Sequence, residues 1–212
     1  MTSPDNALPN YLSALDQFKA GNSEQGLAEM TTATQKANCS SLDQERMQSR
    51  EEMLLLSGFS PVEAKENSIR AFSYEHLAQM KQFAHKLDEL QKSYKAAGDE
   101  NSVHQLAAMG IQAAKQLGAG SPTIISDMVA NAVERIVLSN LDPNTHYDFL
   151  GATAGERNQA LRARKQEQRE LAKNQIAYVS LSDSEKLIYW SRFNLYGELN
   201  AMKWMKSNGE TK

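Results

Sequence analysis

Gly21-Asn22-Ser23-Glu24-Gln25, Gly58-Phe59-Ser60-Pro61-Val62-Glu63 and Gly98-Asp99-Glu100 carry one signal three times. Each glycine ends a stretch of helical periodicity, and a helix-starting run follows it. Glycine suits the position just past a helix because, without a Cβ, it takes the left-handed conformation at little cost. The Asn, Ser or Asp that follows offers an oxygen to the first unpaired N–H groups of the next helix. The glycines at 21, 58 and 98 lie 37 and 40 residues apart. This rhythm predicts a series of helical hairpins, an all-α fold of antiparallel hairpins stacked as a bundle or short solenoid.

The prolines agree. Pro4, Pro9, Pro61, Pro122 and Pro143 all fall at starts or in linkers, and none interrupts a periodic segment. Helices are expected at about 10–20, 23–38, 42–57, 61–71, 74–97, 100–117, 122–139, 156–179 and 183–206. Ser41…Gln44, Ser60…Glu63 and Ser182…Glu185 match capping boxes, and Ser121-Pro122 reads as an N-cap followed by proline at the first helical position. No segment shows sustained strand alternation. Ile176-Ala177-Tyr178-Val179 reads as the last turn of a long helix.

The helix from Pro122 is the expected centre of the core. Ile124, Ile125, Met128, Val129, Ala132, Val133, Ile136 and Val137 recur as one broad apolar face. Leu77, Met80, Ala84 and Leu87 on one preceding helix, and Val103, Leu106, Ala107, Ala114 and Leu117 on another, offer matching stripes. Three regions follow from this: a hairpin core over 1–140, a linker over 141–155 with Pro143, Gly151 and Gly155, and a C-terminal part over 156–212 packed on the core.

Residues 14–33 resemble half of a tetratricopeptide repeat. Phe18-Lys19-Ala20-Gly21-Asn22 is similar to that family's interhelical turn, and Met30 and Ala33 sit where it packs its second helix. Leu87, Leu90, Tyr94 and Gly98 fit the first helix of another repeat. Gly26 and Val103 depart from the usual small alanine, and the spacing exceeds the family's period of roughly 34 residues. The resemblance implies stacked hairpins with a concave surface for a peptide or protein. Gly58-Phe59-Ser60-Pro61-Val62-Glu63-Ala64 together with Tyr196-Gly197-Glu198 resembles uncharacterised helical bacterial proteins that often carry an export signal, which brings no activity to carry over.

Composition excludes some classes. The formal net charge of −3 creates no field that would recruit nucleic acid or an anionic membrane. No apolar run approaches a membrane span. Cys39 is the single cysteine, so no disulfide forms within the chain. Met1 to Asn6 lack the basic and apolar regions of a signal peptide. The expected location is cytoplasmic for the chain as it stands, and extracytoplasmic if a leader has been trimmed.

His76, His85, His104 and His146 form no pair at metal-ligand spacing, and no carboxylate pair sits in an apolar setting. Neither a catalytic residue, nor a metal, nor a cofactor is expected. Leu117-Gly118-Ala119-Gly120-Ser121 precedes a helix but lacks the lysine and strand of a phosphate loop; a tight interhelical turn is expected, with an anion at the helix N-terminus as the alternative. Helix 156–173 carries Arg157, Arg162, Arg164, Lys165, Arg169 and Lys173 against Glu156, Glu167 and Glu170. It reads as a solvated helix held by ion pairs one turn apart, with docking on an acidic partner as the alternative. Without interleaved aromatics it does not read as a nucleic-acid surface.

The last helix carries the candidate site. Ile188, Leu195, Leu199 and Met202 form one stripe, and Tyr189, Trp190, Phe193, Tyr196 and Trp204 form a second. Two apolar faces mean either a sandwich inside the protein or a face for a partner. The expected function is a non-enzymatic interaction or scaffold protein. Its partner, a protein or peptide or a second copy of the chain, meets those five aromatics. The competing class is an enzyme with an unfamiliar all-helical site using the histidines.

Overall fold

The computed structural model describes residues 4–173 and 176–209. Met1 to Ser3 of the leader reading, Asn174 and Gln175 within the helix expected over 156–179, and residues 210–212 lie outside it. The chain is all-α: α1 (Leu8–Lys19), α2 (Ser23–Thr34), α3 (Asp43–Leu56), α4 (Pro61–Ser68), α5 (Glu75–Ala96), α6 (Glu100–Ala119), α7 (Ile124–Val137), α8 (Ala154–Ala172), α9 (Ile176–Val179), α10 (Asp183–Tyr196) and α11 (Glu198–Gly209). Short 3-10 turns, Ile69–Ala71 and Leu138–Asn140, extend α4 and α7.

The three glycines end α1, α3 and α5 with φ of 82°, 87° and 75°. Each turn closes with the same two backbone bonds. Asn22, Phe59 and Asp99 donate N–H to the carbonyls of Gln17, Leu54 and Tyr94. Gly21, Gly58 and Gly98 donate to Phe18, Leu55 and Lys95. This Schellman pairing satisfies carbonyls that a helix end would leave orphaned.

Two of the three expected capping boxes form, at Ser60–Glu63 and Ser182–Glu185. The third does not. Leu42 takes the left-handed conformation before α3, and the Ser41 hydroxyl bonds the Asp43 carboxylate instead. A further box at Thr153–Glu156 starts α8. Thr123, not Ser121, caps α7, its hydroxyl accepting from the Ser126 N–H, so Pro122 lies before the helix.

The hairpins do not stack in chain order. α1 packs on α5 and α2 on α6, and α7 covers α5 and α6. Tyr11, Leu15, Met30, Phe83, Leu87, Ile111 and Leu117 fill this first core. Two buried glutamines tie it together. Gln116 accepts from the Tyr11 hydroxyl and donates to the carbonyls of Ala33 and Lys36. Gln91 donates to the carbonyls of Val103 and Val137 and accepts from Asn140. The skipped pair, α3 and α4, belongs to a second core with the start of α7, the end of α8, and α10 and α11.

α7 is central, as expected, but its buried face is broader in chemistry. Ile124, Ala130, Val133 and Val137 are buried, and so are Ser126, Asn131 and Glu134; Ile125 is exposed. Ser126 bonds Ser121 and Thr123 ahead of the helix, and the other two polar members face α8. Asn131 donates to the Leu161 carbonyl, and Glu134 takes both Nε and Nη2 of Arg157. The expectation for α8 is corrected by the same contacts. Arg157, Arg164 and Glu167 pair across to Glu134, Asp127 and Lys203 on other helices, and among the described residues the one local pair is Glu170 with Lys173 at the C-cap. Partial burial against α7 selects these pairs over solvated ones on its own surface.

Region 141–155 is not a free linker. Leu141 and Tyr147 are buried in the first core. His146–Tyr147 and Ala152–Thr153 form a two-residue antiparallel ribbon, a small correction to the strand-free expectation. The Tyr147 hydroxyl accepts from the Asp142 N–H at 2.9 Å and its ring meets His104 edge-on. Such a compact turn has contacts but no period, so periodicity could not reveal it.

Val133 is fully buried against Ala84 of α5 and Ala114 of α6. Val133→Asp places an unpaired carboxylate there and is expected to cost more than about 4 kcal/mol. An unchanged denaturant midpoint would contradict this placement of α7.

Candidate functional site

The expected last helix is two helices. Gly197, at φ 81°, ends α10, and Glu198 begins α11. A Cβ at Gly197 would stand 3.3 Å from the Pro122 carbonyl oxygen. The close approach lets the Glu198 N–H donate to that oxygen at 2.7 Å. In return the Glu198 carboxylate accepts from the Ile124 N–H at 2.7 Å, at the start of α7. The anion considered for this helix N-terminus is therefore supplied by the chain itself. Burial raises the Glu198 carboxyl above the usual range, outweighing the opposing effect of the Ile124 bond.

The break sets which rings are inside. Tyr189, Trp190 and Phe193 are buried in the second core, Phe193 with 0% exposure. Of the two alternatives, a sandwich inside the protein or a face for a partner, these three rings take the first and are corrected as partner contacts: α10 presents this face to α4 and α11. Of the five aromatics, Tyr196 is 61% exposed and Trp204 half-buried under the Arg192 guanidinium, 5.4 Å from its ring centre. The stripe expected to anchor the helix is turned outward at Ile188 and Leu195, which are 46% and 72% exposed. Met202 is buried, on the other helix. A 100° projection through Gly197 joined residues of two separate helices.

Tyr178 of α9 completes the aromatic cluster. Its ring meets Tyr189 at 5.1 Å and Trp190 at 6.2 Å, both edge-on. Its hydroxyl accepts from the Trp190 indole N–H at 2.8 Å and donates to Glu66 at 2.9 Å. A cavity of about 250 Å³ opens beside these rings, lined by Tyr178, Tyr189, Trp190, Glu198, Met202 and Met205. No positional signal marked it, because its wall is shared by three helices and the Gly197 break.

A second, polar cleft of about 310 Å³ lies between α6, α7 and α8. The Glu134–Arg157 and Asp127–Arg164 pairs line it, with Lys115 and with Asn131, whose Oδ1 is buried without a partner among the described residues. Its two carboxylates are each paired with an arginine, which leaves the Lys115 ammonium at the rim.

The histidines do not converge. His76 lies at the start of α5 near Asp43, His85 is exposed on α5, His104 lies 4.0 Å from Glu100, and His146 is on the ribbon near Glu156. No group of three metal-ligating side chains comes together among the described residues. Burial pushes the Cys39 thiol up to about 12, which leaves almost no thiolate at neutral pH. No described helix is long and apolar enough to cross a membrane. Comparison with protein families, with curated proteins and with solved structures finds no match.

Phe193→Ser is expected to cost about 3–5 kcal/mol, whereas Tyr196→Ser shifts stability by no more than about 0.5 kcal/mol. Equal thermal midpoints for the two variants would contradict this division between core and surface. Glu198 gives a pH signature. A carboxyl raised in the fold stabilises it fully below the unfolded-state pKa, and that contribution is lost as pH rises through the folded-state value. The thermal midpoint of wild type relative to Glu198→Gln therefore improves as pH falls from neutrality into the carboxylate range. The opposite trend would show that the Ile124 bond dominates.

Proposed function

We propose that this chain is a non-enzymatic helical interaction protein that binds a protein partner through the tip of the α3–α4 hairpin. One observation carries the reading. Of the run Met53-Leu54-Leu55-Leu56, only Leu54 enters the fold. Met53, Leu55 and the following Phe59 are exposed, and Leu56 is 91% exposed. Solvated large apolar side chains gathered at one turn mark interaction sites. The tip is also pre-organised. The Gly58 turn, the Ser60–Glu63 box and a Lys65–Glu51 ion pair at 2.7 Å hold the two helices together. A rigid apolar knob loses little entropy on binding.

Tyr196 and Trp204, with Leu195 beside them, remain as a second candidate contact on α10 and α11. A different reading rests on α8. Arg162, Lys165 and Arg169 recur on one face and make no ion pair among the described residues, which favours docking on an acidic protein surface.

Leu56→Glu tests the main reading without touching the core. The variant is expected to keep the wild-type thermal midpoint and to lose either partner capture or self-association, followed by affinity capture and sedimentation mass in parallel. A variant that retains both overturns it. Partner binding that survives Leu56→Glu but disappears in Arg162→Glu/Arg169→Glu and at raised salt assigns the role to α8.

A further inference from the structure

We propose that the cavity between α9, α10 and α11 binds a small organic cation, an alkylammonium or quaternary ammonium group, recognised by the rings of Tyr178, Tyr189 and Trp190 and the carboxylate of Glu198. Four observations converge. Among the described residues the lining joins three electron-rich rings and two thioethers to a single carboxylate, with no lysine or arginine. Ring quadrupoles attract a desolvated cation, and polarisable sulfur tolerates one.

The carboxylate has no cationic partner among the described residues. Its one hydrogen bond is to a backbone N–H, and no ion pair involves Glu198 among the described residues. Glu198 and the Tyr189 ring line the same cavity, and burial first, then the charge of Glu198, lifts the Tyr189 hydroxyl above its ordinary value. The start of α7 meets this half-buried carboxylate with an N–H, and a bound cation adds the full countercharge that the described aromatic walls lack.

The cluster already receives one cation from outside. Lys186 Nζ stands 5.5 Å from the Tyr178 ring centre, held there by Glu66 at 3.4 Å. Lys186 does not line the cavity, so this ammonium leaves the Glu198 side of the cluster unoccupied by protein charge. The space itself selects size. About 250 Å³ admits a trimethylammonium group with a short tail, and it excludes a folded peptide segment.

This proposal is independent of the α3–α4 tip, since it uses none of the same residues. The experiment follows the Trp190 indole N–H resonance in wild-type protein, assigned with Trp204→Phe, because that group bonds Tyr178 within the site. Choline is titrated against its neutral isostere 3,3-dimethyl-1-butanol, with sodium chloride at matched ionic strength as control. Saturable shifts with choline are expected, with the neutral isostere at least about tenfold weaker. Glu198→Gln, which keeps an acceptor for the Ile124 N–H, is expected to weaken choline about tenfold. Equal binding of the two ligands overturns the proposal, leaving an apolar cavity without charge preference. Absence of a saturable choline shift overturns it as well, as does a folded Glu198→Gln that binds choline like wild type. The wild-type comparison decides the matter even if that variant does not fold.

Discussion

The junction of Glu198 with the start of α7 holds the two cores of this protein together. Helix α7 begins in one core, where Ile124 packs with Phe193 and Met202, and ends in the other, where Val137 packs beside Leu87. Its first turn has free N–H groups that need acceptors. Thr123 supplies one and Glu198 another, from a residue distant in the chain. A hydrogen bond to a charged acceptor is worth about 1.5–3 kcal/mol, and a negative charge at a helix N-terminus adds up to about 2 kcal/mol. Partial desolvation of Glu198 works against this gain, as its raised carboxyl shows. Gly197 makes the junction possible, because positive φ and the nearby Pro122 carbonyl both disfavour a side chain there.

That junction orders everything C-terminal to the first core. It fixes where α10 ends, and therefore which face of α10 turns inward. It brings α11 under α8, where Lys203 meets Glu167. The aromatic cavity exists because α9, α10 and α11 meet there, and its only ionisable carboxylate is the residue that clamps α7. Structural and recognition roles thus converge on Glu198. A ligand cation in the cavity would sense, and act upon, the attachment of the C-terminal helices to α7.

The distribution of apolar side chains separates the two interaction readings. Tyr189, Trp190 and Phe193 of α10 are used internally, and the first two reach a ligand only through the cavity that they line, whereas Tyr196 of the same helix stays exposed. Leu55 and Leu56 of α3 are left outside by their own hairpin, at a turn held rigid on both sides. Charge follows the same division. Arg157 and Arg164 of α8 are paired on α7, whereas Arg162, Lys165 and Arg169 make no ion pair among the described residues.

Local signals were legible in the sequence wherever the cause was local. Gly21, Gly58 and Gly98 end helices because a Cβ is disfavoured at positive φ, and Ser60 and Ser182 start them because their hydroxyls reach N–H groups three residues on. The all-α class and the central place of Val133 follow from the same short-range chemistry and from the 3.6-residue period. Other features had to wait for the tertiary structure. Gly197 breaks a helix because a distant carbonyl, that of Pro122, sits beside it. Tyr189, Trp190 and Phe193 are buried because α4 and α11 cover them, whereas Ile188 and Leu195, equally apolar, meet water. Ser41 fails as a cap because Asp43 takes its hydroxyl. Sequence periodicity places residues on a face; only the packing of the other helices decides which face is covered.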